Sequence, residues 1–140
     1  MDEVRSNSIG RTLADEALKQ AFHDHQDETD RQVERLEQGF ELLGRAERSE
    51  KCDAAAGLVE EGKSVINEIG EDGPKDVMLT AAGRKAEHYG IASYEDAARF
   101  AKVLRNKELA ELLESTLTEE RATAKKLKSI GRRLAKRLRE

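Results

Sequence analysis

Asp76-Val-Met-Leu-Thr80-Ala-Ala-Gly-Arg84-Lys-Ala-Glu87-His88-Tyr89-Gly-Ile91-Ala-Ser-Tyr94-Glu-Asp-Ala-Ala98-Arg-Phe-Ala101-Lys-Val103-Leu104 is the stretch whose reading decides the fold. Thr80, Arg84, Glu87, Ile91, Tyr94, Ala98 and Ala101 recur at alternating spacings of four and three. That spacing puts them on one stripe of a long helix, the stripe that faces partner helices. Glu87 sits in the middle of this seam. A carboxylate there loses hydration and requires a counter-charge, a hydrogen-bond partner or a metal. Which of these Glu87 has is the functional question the chain poses.

The flanking segments carry the same rhythm. Residues 1–11 are polar and read as an N-terminal arm, and residues 12–140 as one helical-bundle domain. Thr12-Leu-Ala-Asp15 resembles a capping box that opens a long helix. In that helix Leu18, Phe22, His25, Thr29, Gln32, Leu36, Phe40 and Leu43 form the seam, and Gly44 is a C-terminal stop. His25, Glu28 and Gln32 are spaced so that their side chains can meet. After a polar turn, Lys51 to Glu68 reads as a shorter helix, with Gly57 and Gly62 expected to let another backbone come close. Gly70-Glu-Asp-Gly73-Pro74 breaks the chain, and Pro74 suits the first turn of the next helix. A last helix runs from Lys107 to Lys136 or beyond, with Leu109, Leu113, Thr116, Glu120, Thr123, Leu127, Ile130 and Leu134 on its stripe. Three long amphipathic helices and a shorter one bury their stripes most economically as an antiparallel bundle.

Composition supports this reading. The 140 residues suit one domain, 39% are charged, 4% are aromatic, and a single Pro is present. Such a mixture favours helix, and no strand-length run alternates, so no sheet is expected. Cys52 is the only cysteine, which excludes an internal disulfide and a CxxC site, and an inert or buried thiol is expected there. There is no apolar N-terminal run and no stretch of membrane-spanning length, so the expectation is a cytoplasmic protein.

Charge is uneven. Lys125 to Glu140 holds eight basic residues and one acidic, a balance of +7, so the first 124 residues carry -11 of the net -4. One reading of this basic C-terminal helix end is contact with an anionic partner, such as nucleic acid, lipid head groups or an acidic protein. The other is a solvated helix end whose cations complement the macrodipole.

Polar residues on the inner faces of three helices carry the chemistry. Glu28, Glu87 and Glu120 are expected to converge at one level, with His25, Gln32 or His88 nearby. Bundles build dinuclear iron or manganese sites from such carboxylates. Against this, neither Glu-x-x-His element of that arrangement is present, and Glu87 has Arg84 or a lysine, and Glu120 has Arg121 or Lys125, as alternative partners. His23 is expected in solvent, and His88 in packing or supporting contact. No phosphate loop, nucleophile elbow or zinc spacing occurs, and no catalytic residue is assigned.

Several segments together resemble the YciE/YciF family of bacterial ferritin-like, stress-associated proteins. They are Glu16-Ala-Leu-Lys-Gln-Ala-Phe22, His25 to Glu37, Lys51-Cys52 to Gly62, Glu87-His88-Tyr89 with Ile91-Ala-Ser-Tyr94, and Leu113 to Thr123, and they occur in the family's order across residues 15–127. The resemblance implies an all-α, ferritin-like antiparallel bundle with its first helix shortened or missing, a short extra helix and a homodimer. It implies Glu28, Glu87 and Glu120 as metal ligands for a dinuclear centre. It also implies a weakened or absent site, because Gln32 stands where some members have His, and Gly90 and Ala124 stand where acidic residues often occur. The apolar face left by a missing first helix would be covered by dimerisation or a swapped helix.

Overall fold

The computed structural model describes residues 13–140, so the polar arm and Thr12 lie outside the described residues. Among the described residues four helices follow one another: α1 Glu16–Leu42, α2 Asp53–Glu68, α3 Asp72–Val103 and α4 Lys107–Arg137. Among the described residues there is no strand. The expected all-α bundle with one short helix among long ones is therefore the fold.

Local chemistry sets the helix ends. Asp15 caps α1 by accepting the Leu18 N–H at 3.0 Å. Asp76, itself buried, accepts the backbone N–H groups of Ala14 and Asp15 at 3.4 and 2.9 Å, which ties the entry of α1 to α3. At the other end of α1, Gly44 takes φ +64°, as expected of a stop. Its N–H bonds to Glu41 O and the Arg45 N–H to Phe40 O, which satisfies two carbonyls of the last turn. The end of α3 repeats this bond pattern with a non-glycine residue, Arg105, at φ 56°. Asn106 then caps α4 through the Leu109 N–H at 3.1 Å, so three residues join α3 to α4.

Paired side chains give the register. Thr80, Gly83 and Gly90 lie against Gly131, Leu127 and Glu120, so α3 and α4 run antiparallel. Asp15, Asp24, Glu28 and Arg35 meet Arg133, Lys126, Thr123 and Thr116, so α1 is antiparallel to α4 and parallel to α3. α2 lies along α3, with Glu61 on Lys85 and Cys52 near Tyr89. Gly57 and Gly62 have open space where a Cβ would project, so the expected close backbone approach does not occur there. Gly62 instead lines a cavity of about 410 Å³ between α2 and α3, whose walls include Leu58, Ile66, Ala82 and Ala86.

The core is split. Leu13, Leu18, Ala21, Val65, Leu79, Leu127, Ile130 and Leu134 fill one end. Ala101, Leu109 and Ala110 fill the other. The level between them is polar, with Gln32, Glu87, Thr116, Glu120 and Thr123 all buried. No helix among the described residues is long and apolar enough to cross a membrane.

Candidate functional site

The polar level is where three helices present carboxylates to each other. Glu87 of α3 is only 4% exposed. One of its oxygens, Oε1, lies 3.0 Å from His25 Nε2 of α1. Its carboxyl group hydrogen bonds to that of Glu120 on α4. Two carboxylates cannot share a hydrogen bond unless one is protonated. Burial foremost, then the bond to Glu120 and the charges of Glu120 and Glu28, push the Glu87 carboxyl up to about 10. Glu87 is thus a neutral acid at pH 7, and its proton holds Glu120.

Glu28 closes the third side. Its Oε2 accepts the Thr123 hydroxyl at 3.1 Å and lies 4.0 Å from His25 Nδ1. Arg35, one helical level further along α1, donates to Thr116 Oγ1 at 3.3 Å and grips Glu119 with both guanidinium nitrogens. That bond to Glu119 holds the Arg35 guanidinium above its ordinary range. Tyr94 is raised too, by burial and then by the Glu120 charge. Among the described residues four buried polar atoms have no hydrogen-bond partner: His25 Nδ1, Gln32 Nε2, Arg84 Nε and Glu87 Oε2.

The three predicted glutamates therefore meet at one level, with His25 among them. The alternative pairings do not form: Arg84 Nε is unpartnered, Arg121 binds Glu95, and Glu87 takes His25. His23 is exposed as expected. His88 is also exposed and takes no part, because the neighbour of an inward residue points about 100° away around a helix. Cys52 is not buried, which corrects that part of the expectation of an inert or buried thiol. It precedes α2 as its N-cap, is exposed, and lies 3.0 Å from the Tyr89 hydroxyl, whose hydrogen bond lowers the thiol pKa. Arg35 and Thr123 are the participants whose roles the sequence concealed. Nothing in an apolar seam marks an arginine or a threonine as a carboxylate partner.

The family profile described as Domain of unknown function (DUF892) matches residues 5–138. The chain belongs to the DUF892 family. Protein YciF of Escherichia coli K12 is 41% identical over 124 residues, which cover 88% of this chain and 75% of YciF. The crystal structure of that E. coli stress protein superposes with a TM-score of 0.86 at 39% identity, over 91% of this chain and 80% of YciF. YcfI of Rhodopseudomonas palustris, described as a suggested structural protein, superposes with a TM-score of 0.84 at 30% identity, over 88% and 78% of the two chains.

In this DUF892 member the residues at the departing positions have visible consequences. Gln32 is buried, and its amide nitrogen finds no acceptor. Gly90 makes room for Glu120: a Cβ at residue 90 would stand 2.7 Å from Glu120 Oε2. A dinuclear carboxylate centre draws on four carboxylates and two imidazoles. The polar level offers three carboxylates and one imidazole, so it does not fit two ions. Among the described residues no three His, Cys, Asp or Glu side chains surround a common point as an ion would require.

Proposed function

We propose that this chain is a ferritin-like, stress-associated DUF892 protein whose interior carboxylates hold a single divalent ion, iron or manganese, in exchange for the Glu87 proton. The unpartnered buried atoms Glu87 Oε2 and His25 Nδ1 carry this reading. These side chains do not surround a common point as they stand, so binding would turn Glu28, Glu87 and Glu120 inward as the oxygen ligands and His25 as the nitrogen ligand. Such an ion would supply one-electron chemistry toward peroxide or dioxygen. The protein's own part is to supply negative charge, to keep water out with the two apolar clusters, and to hold a proton at Glu87 when the ion is away. The single unpaired cysteine and the stress relatives favour a cytoplasmic setting. Phe100, Val103 and Leu104, exposed by 62, 74 and 67%, support a homodimer.

The test is calorimetric titration of metal-free protein with Mn²⁺ or Fe²⁺ under argon. Because the ion displaces a proton, affinity should rise about tenfold per pH unit below the Glu87 pKa. Glu87→Ala and Glu120→Ala should each abolish binding. Binding that survives in both variants rejects the ligand assignment.

A second reading rests on a different observation. The outward face of α4 carries basic side chains that no carboxylate among the described residues neutralises, and an anionic partner is the chemistry that would meet them.

A further inference from the structure

At 100° per residue, Lys125, Lys128, Arg132 and Lys136 fall in one sector of α4 about 80° wide, and Arg139 follows in the turn just past its end. The buried residues Leu127, Ile130 and Leu134 lie on the opposite side of the helix. The basic residues turned toward α1 are already paired: Lys126 with Asp24 at 3.3 Å, and Arg133 and Arg137 with Asp15 at 3.0 and 3.6 Å. The five outward residues are all exposed, and none has an ion pair or side-chain hydrogen bond among the described residues. No acidic residue interrupts α4 beyond Glu120. With a rise of 1.5 Å per residue, the row within α4 is about 17 Å long and carries a cation about every 5–6 Å.

We infer that this row docks the phosphate backbone of duplex nucleic acid without reading base sequence. The inference rests on the second reading above and gives its anionic partner a class. A rigid, straight row of unpaired cations complements a linear array of phosphates. A helix that lies in a membrane surface buries large apolar side chains beside its basic ones. Here the residues bordering the row are Ser129 and Ala135. Single strands are held by stacking on aromatic rings. α4 has none. The remaining surface is acidic, so the duplex meets α4 on its outward side and the contact is electrostatic.

The full chain is titrated into a labelled mixed-sequence duplex and followed by fluorescence anisotropy. Neutralising three to five phosphates weakens binding about 40- to 500-fold between about 50 and 200 mM salt. The variant Lys125→Gln/Lys128→Gln/Arg132→Gln should bind at least about tenfold more weakly at low salt, with a salt slope shallower by about three. A control removing the same charge elsewhere, Arg48→Gln/Lys51→Gln/Lys107→Gln, should retain the parent slope. Circular dichroism establishes that both variants are folded. Equal losses in the two variants overturn the inference. Binding to phosphatidylserine vesicles without binding to duplex also overturns it, but leaves an anionic partner standing. Binding to neither removes both.

Discussion

Glu87 is the residue on which the interior turns. A buried carboxyl raised to about 10 from an ordinary 4.5 prefers its protonated form in the folded state. The stabilisation linked to that proton is complete below the unfolded pKa and is lost as pH rises through the folded one. Stability should therefore fall by about 1.4 kcal/mol per pH unit across that window, which amounts to about 3 kcal/mol by pH 7. Gln is nearly isosteric with the protonated acid and never ionises. Glu87→Gln should accordingly lack the slope and be more stable than the parent at pH 8, as read by urea unfolding across pH. Equal slopes in parent and variant would dispose of a protonated Glu87. The same reasoning shows how much of the site was legible. Two acids on apolar stripes, Glu87 and Glu120, announce a dry meeting point, because no solvated helix face needs them there. Which group answers Glu87 was not legible, since His25, Arg84 and a lysine all stood at workable spacings and only packing chose His25.

At the scale of elements, periodicity served α3 and α4 better than α1. Thr80, Glu87, Ala98 and Ala101 are buried on α3 as their spacing required. On α1 the expected seam holds at Leu18 and Gln32, but Thr29, Leu36 and Leu43 are exposed. The inward line runs instead through Ala21, His25, Glu28, Gln32, Arg35 and Gly39, of which only Ala21 and Gly39 are non-polar. Gly39 is buried because a Cβ there would already stand 3.2 Å from Leu109 Cδ1. Apolar periodicity cannot find a face chosen for its donors and for its smallness. Two glycines sharpen the point. At Gly131 a Cβ would stand 2.6 Å from Thr80 Oγ1, a hydroxyl already bonded to the Val77 carbonyl. Gly131→Ala should cost about 1–3 kcal/mol by forcing α3 and α4 apart. Gly62 faces open space within a helix, so Gly62→Ala should add about 0.5–1 kcal/mol. Denaturant midpoints that shift in the same direction for both would contradict the packing described.

For the whole molecule, the composition and the basic end of α4 were plain in the sequence, whereas the apolar strip proposed to pair two copies was not. Phe100, Val103 and Leu104 form a continuous exposed strip at the end of α3. Phe100→Glu with Leu104→Lys should convert a dimer to a monomer in sedimentation velocity while leaving the helical signal unchanged, because neither side chain supports the core. A parent that sediments as a monomer at all concentrations would remove the dimer.

The three-residue joint at Arg105 has a kinetic consequence. It brings α3 and α4 together across three residues, as residues 69–71 do for α2 and α3, so their pairing costs little closure entropy, whereas α1 must reach α4 across most of the sequence. The hairpin of α3 and α4 should then be the folding nucleus. In stopped-flow refolding, Leu109→Ala should give a φ-value well above one half, and Leu18→Ala one near zero that shows mainly as faster unfolding. A cell that stalls this protein part-made would hold α1 and α2 without the two helices they are built to follow.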